Sequence, residues 1–161
     1  EFDSTAEGGK EWVEYGISNL DGLRRTDPSI APVIDWVRSL HEPFRPWDAP
    51  LRVVHQDLGP DHIIVDPASG HVRGILDWTD AILGDPARDF VSLLAFGGPG
   101  FVDRVLRHYS APLDAGFPDR LRRMTLFLCA IWAGEAQGRG EDTAKHLRWL
   151  RNAVIAHDMN A

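Results

Sequence analysis

Two carboxylates stand where polar residues interrupt apolar runs: His55-Gln56-Asp57 follows one run, and Asp77-Trp78-Thr79-Asp80 follows another. An Asp just past the end of a buried strand sits on a loop that the strand can hold rigidly over a cleft. With His62 five residues beyond Asp57, the set suits a magnesium–phosphate site. One carboxylate orients or deprotonates a hydroxyl, and another holds the metal that bridges phosphate oxygens. Magnesium prefers oxygen donors, so three roles stay open for His62: a ligand, a contact through water, or a hydrogen-bond donor to phosphate. Asp80 reads equally as a substrate-pocket carboxylate and as a solvated turn residue.

The remaining chemistry-bearing residues fit plainer roles. His55 is expected to bond loop backbone, and His71 to sit in a hairpin. His55, His62 and His71 do not make a zinc set, because their spacing fits no common pattern and no thiolate accompanies them. Cys129 lies among apolar residues and reads as core. Trp132 and Glu135 share a helix face; they line a substrate trench or serve as core and surface residues.

The elements that position these residues follow from periodicity. Residues 3–9 are small and polar. Val13, Ile17 and Leu20 recur at helical spacing over residues 10–24, and Asp27-Pro28-Ser29 opens a second helix with Val33, Trp36, Val37 and Leu40 on its face. Three prolines within residues 41–50 end it. Short apolar runs at 51–54, 63–65 and 72–76 predict strands, the last two joined by a turn-rich hairpin connection at 66–71. Helices are expected at 86–96, at 101–109 after a break at Gly97-Gly98-Pro99-Gly100, over a long stretch marked by Leu121, Met124, Leu128, Ile131 and Trp132, and finally around Leu147, Leu150 and Val154. The class is α+β: mainly helical, with a small β-hairpin element in the centre.

Composition bounds the alternatives. The 161 residues suit one domain, and 43% hydrophobic with 25% charged residues excludes disorder as the main state. No apolar run approaches the roughly 18 residues of a membrane span. A net charge of −7 is the wrong sign for a general nucleic-acid binder and tolerates cationic small molecules. One cysteine excludes an intramolecular disulfide and fits a reducing cytoplasm. The chain begins Glu1-Phe2, the dipeptide an EcoRI site encodes, so residues 1–9 are expected to be a leader that is not native. No basic-then-apolar signal segment follows.

The layout of the central motifs resembles the catalytic segment of the kinase superfamily, with its His-x-Asp loop, a hairpin and a metal-binding Asp. It is most similar to the aminoglycoside and macrolide phosphotransferases. That likeness rests on His55-Gln56-Asp57-Leu58, Leu76-Asp77-Trp78 and Gly84-Asp85-Pro86-Ala87-Arg88-Asp89-Phe90. His62 stands where most of the family has Asn, and the resulting pattern, followed by Asp-Trp-Thr and an acid, is similar to the macrolide 2′-phosphotransferases.

The resemblance implies that residues 10–161 form the C-terminal, substrate-binding and catalytic lobe of a protein-kinase-like fold. No G-x-G-x-x-G and no G-x-x-x-x-G-K is present, so the N-terminal nucleotide lobe is expected to be missing and to be this lobe's partner. It implies an antibiotic O-phosphotransferase passing the γ-phosphate of ATP or GTP to a hydroxyl of a macrolide or related antibiotic, inactive as this isolated chain. Asp57 would be the catalytic base, Asp77 and His62 the magnesium ligands, and Asp57 and Asp80 the carboxylates facing a substrate cation. His55 and Asp89 would be structural in the catalytic loop. A kinase of the same fold acting on choline, homoserine or a sugar, and a non-catalytic kinase-like binding module, are the rival readings.

Overall fold

The computed structural model describes residues 51–158 and, before them, Tyr15, Ser18, Asn19, 21–25, Pro28, Ala31 and Asp35. The leader at 1–9 and most of the two helices expected within 10–40 lie outside the described residues.

The first half of the described region is two small antiparallel sheets. Strand β1 (Arg52–Val54) pairs with β4 (Ile82–Gly84), matching Val54 with Ile82 and Arg52 with Gly84. Strand β2 (Ile63–Val65) pairs with β3 (Val72–Ile75), with an irregularity between Ile64 and Val65. The expected single hairpin is thus one of two sheets. β4 was not foreseen, since three residues between turn-forming neighbours carry too little periodicity to read. A short 3-10 turn (Pro60–His62) leads into β2.

The hairpin turn is built by Asp66. Its Oδ1 accepts the N–H groups of Ala68 and Ser69, each at 2.9 Å, and Arg73 donates to its Oδ2 at 2.7 and 3.2 Å. These bonds, the Arg73 pair first, hold the Asp66 carboxyl down at about 2. Gly70 closes the turn at φ 70°, where any side chain would be strained. Both sheets leave apolar residues exposed, among them Val53, Ile64, Val72, Leu76 and Leu83.

The second half is helical: α1 (Ala87–Gly97), α2 (Pro99–Leu106), α3 (Phe117–Gly138) and α4 (Ala144–Asp158). The expected break at 97–100 narrows to Gly98 alone. At φ 74° it ends α1, its N–H bonding the Leu94 carbonyl at 3.0 Å, and Pro99 then opens α2. Residues Phe117, Leu121, Met124, Leu128 and Ile131 of α3 recur every three or four positions and pack on α1 and α2. Its other side, with Leu126, Phe127, Cys129, Ala130 and Ala133, packs on α4 and Leu23. Leu126 and Leu150 are buried; each such side chain contributes about 2 kcal/mol. Asn152 of α4 donates to the Ala95 carbonyl of α1 at 2.7 Å, fixing the two helices laterally.

Candidate active site

The β1 strand delivers His55, Gln56 and Asp57 to the edge of the helical block. Gln56 sits at φ 70° and Asp77 at φ 58°. Both are left-handed conformations that cost a non-glycine residue of order 1 kcal/mol and persist only where neighbours enforce them. For Gln56 the enforcer is Asp89, near the start of α1. Its two carboxylate oxygens accept the His55 N–H at 3.0 Å and the Gln56 N–H at 2.9 Å. For Asp77 it is Thr79, whose hydroxyl donates to Asp77 Oδ1 at 2.8 Å. That bond and the Thr79 N–H hold the Asp77 carboxyl below its ordinary value, so it stays ionised.

His55 joins the two loops. Its ring is buried and its Nε2 bonds the Leu76 carbonyl at 2.6 Å. A carbonyl only accepts, so the proton is on Nε2. The Nδ1 atom is then left buried with no hydrogen-bond partner. Trp78 packs edge-on against the same ring, centroids 4.9 Å apart, and its Nε1–H donates to the Ile75 carbonyl at 3.0 Å.

His62 donates through Nδ1 to the Asp57 backbone carbonyl at 2.6 Å and lies 3.9 Å from Asp57 Oδ2. This backbone bond, with help from Asp61, Asp57 and Asp77, raises its pKa. Nε2 is the ring nitrogen left for a ligand. The Asp57 side chain is 69% exposed and points no bond of its own inward. Behind it, burial pushes the Arg88 guanidinium down while the Asp57 and Asp89 carboxylates oppose that shift.

Asp57 lines a cleft of about 230 Å³. The loop after Asp57 adds Asp61, α1 adds Ser92 and Phe96, α3 adds Trp132 and Glu135, and Arg139 follows at the end of α3. His146 and Trp149 of α4 complete it. Asp80 is not among these residues; its backbone carbonyl accepts Gln56 Nε2 at 3.3 Å, beside the catalytic loop and not in the cleft. Sequence reasoning reached Trp132 and Glu135 but missed the α4 wall. The readable signal was the pairing of His146 with Trp149 three positions on, one face of the last helix. A second missed feature is Arg120, 2% exposed, which joins Asp85 and Asp114 at 2.5 and 2.9 Å. Asp85 also accepts the Ala87 N–H at 2.9 Å and so caps α1.

The donors present fit magnesium through Asp77, an ionised carboxylate on an exposed loop. Among the described residues no three His, Cys, Asp or Glu side chains converge as a protein cage. Magnesium needs none, since one or two carboxylates with phosphate oxygens and water suffice. His62 offers a nitrogen, a poorer magnesium donor but a good hydrogen-bond donor to phosphate when protonated. No described helix is long and apolar enough to cross a membrane.

Comparison with known proteins gives the chain a family. The family model described as "Phosphotransferase enzyme family" matches residues 15–124. Viomycin phosphotransferase of Streptomyces vinaceus is 38% identical over 154 residues, 93% of this chain and 45% of that protein. The protein YcbJ of Bacillus subtilis (strain 168) is 41% identical over 63 residues, 39% of this chain and 20% of that one. The chain therefore spans less than half the length of these relatives.

Proposed function

This chain belongs to the phosphotransferase enzyme family, the family of the aminoglycoside and macrolide phosphotransferases, and from that premise we propose that residues 10–161 are the catalytic and substrate-binding lobe of an antibiotic O-phosphotransferase. The observation that carries the proposal is the His55 ring bond to the Leu76 carbonyl. It ties the loop of Asp57 to the loop of Asp77, which supports reading the two as the base and the metal carboxylate of one site. We infer that a nucleotide lobe partners this one, a reading supported by the chain's matching 45% of viomycin phosphotransferase. The exposed apolar faces of the two sheets are where that lobe would cover Val53, Val72 and Leu83.

Asp57 accepts the hydrogen bond of the acceptor hydroxyl and takes its proton as the new O–P bond forms. The bond from the γ-phosphorus to the nucleoside diphosphate breaks in the same displacement. Asp77 and His62 would hold magnesium, which supplies charge neutralisation on the phosphate oxygens. The chain's own contribution is positioning: Asp89 fixes the backbone N–H groups of His55 and Gln56, and Thr79 fixes Asp77. ATP or GTP as donor would support a reaction in the cytoplasm.

The acceptor is a macrolide or a related antibiotic bearing an amine beside its hydroxyl, with Asp57 as the carboxylate in the cleft and Asp80 outside its lining. The viomycin phosphotransferase relative favours a second reading, in which the acceptor is viomycin-like. A panel of radiolabelled phosphate transfers with the full-length protein tests both. Label on erythromycin or on viomycin, and none on kanamycin, is the expected result. Label on choline, homoserine or a sugar alone assigns a metabolite kinase, and no label on any acceptor leaves a binding module.

A further inference from the structure

The cleft beside Asp57 is not uniformly acidic. Three carboxylates, Asp57, Asp61 and Glu135, face one guanidinium, Arg139, so the cleft disfavours anions. Glu135 is only loosely paired: Arg139 Nη1 lies 3.8 Å away, while Arg139 Nε donates to Glu141 at 2.6 Å. Arg139 is thus committed to Glu141, and a ligand cation reaching Glu135 displaces little.

Beside Glu135 stand two indoles. Trp132 and Trp149 meet edge-to-face with centroids 5.9 Å apart, and the Lys145 ammonium already lies 5.8 Å from the Trp149 ring. An indole face attracts a cation by its quadrupole. His146 packs on the same Trp149 at 5.0 Å, is 5% exposed, and carries an Nδ1 with no hydrogen-bond partner. A buried polar atom left unpaired costs free energy, and this one belongs to a side chain that lines the cleft. The volume, about 230 Å³, is below the roughly 300 Å³ lower end of drug-sized sites. It takes one end of a substrate, not a whole polycation.

We propose that Glu135, with Trp132 and Trp149, is the specificity site of the cleft and binds a single alkylated ammonium or guanidinium carried on an apolar body, holding the substrate so that its hydroxyl meets Asp57. This deepens the phosphotransferase reading and rests on it. It puts the cation against α3 and α4 instead of against Asp80. Because the cation contact is the same in ground and transition states, it acts on KM and not on kcat.

Calorimetric titration of the full-length protein with benzyltrimethylammonium and with the uncharged benzyl alcohol tests the site without any phosphate transfer. The cation should bind about tenfold more tightly than the alcohol. Glu135→Gln, at a 46% exposed position that does not threaten folding, should remove most of that preference and raise KM for the antibiotic about tenfold with little change in kcat. Trp149→Leu should weaken the cation more than the alcohol. Equal binding of the two probes, or an affinity within twofold of wild type in Glu135→Gln, overturns the site. If the probes discriminate through Glu135 but no antibiotic is phosphorylated, the site stands and the phosphotransferase reading falls. If erythromycin is phosphorylated with KM unchanged in Glu135→Gln, the reading stands and the site falls.

Discussion

Residues 51–85 and residues 87–158 solve different problems. The first region carries the side chains proposed to react on loops that follow strands of three and four residues, leaves its apolar faces open, and includes two non-glycine residues in left-handed backbone. The second packs its core between α1, α3 and α4 and leaves none of its described large apolar side chains exposed. The first region could not hold such geometry alone, since a two-stranded sheet in water is marginally stable. It is held by bonds to the second, in which Asp89 accepts the His55 and Gln56 N–H groups. The lesson is that precision at this site is borrowed from the helices through a few charge-assisted hydrogen bonds.

The sharpest separation of the two regions is Asp57→Asn. The side chain is 69% exposed and packs on nothing in the core, so the melting temperature should stay within a degree or two of wild type. The kcat of the full-length enzyme should fall by about two to four orders of magnitude, the usual range for a lost general base. Activity within twofold of wild type removes Asp57 from the reaction.

Arg120→Leu should act the other way round. It strips a buried guanidinium from Asp85 and Asp114 and leaves two carboxylates without their partner. Breaking such a pair by removing one member costs about 3–5 kcal/mol. The urea midpoint should drop accordingly, and catalysis should fail only as the fold does. A lowered kcat at unchanged stability would show that Arg120 acts on the loops and not on the helical block.

The same division explains what could be read from the residues alone. Asp57, Asp77 and Asp89 stood out because each belongs to a motif a few residues long. β2 was read at its observed limits, and the helices followed from apolar spacing. β4 was invisible because Ile82-Leu83-Gly84 shows no alternation of its own and gains its strand from pairing with β1. The α2 helix was placed two residues late because Gly97, Pro99 and Gly100 look like breakers, whereas only Gly98 leaves helical backbone. The cleft was legible in part, through Trp132 and Glu135. Its far wall, His146 and Trp149, becomes part of a site only when α4 folds back along α3. No local spacing encodes that.

The smallest predicted effect lies where the two regions meet. Burial holds the His146 imidazole below its ordinary pKa; Lys145 and Arg139 push in the same direction, and Glu141 and Asp142 oppose them. At pH 8 the ring is neutral in folded and unfolded chains alike, and it contributes no pH dependence. As the pH falls below the unfolded value of 6.5, the unfolded chain takes up a proton that the folded ring resists. The unfolded state then binds more protons, so stability declines toward acid. Between pH 7.5 and pH 5.5 the wild-type urea midpoint should therefore fall relative to that of His146→Gln, since the raised pKa of His62 contributes with the opposite sign but equally in both proteins. Carboxylates add their own loss only further into acid, as the Asp66 carboxyl does on approaching about 2, which keeps the two contributions apart. Parallel slopes for His146→Gln and wild type would mean that this imidazole titrates alike in both states and that the α4 wall of the cleft is more open to water than its 5% exposure implies.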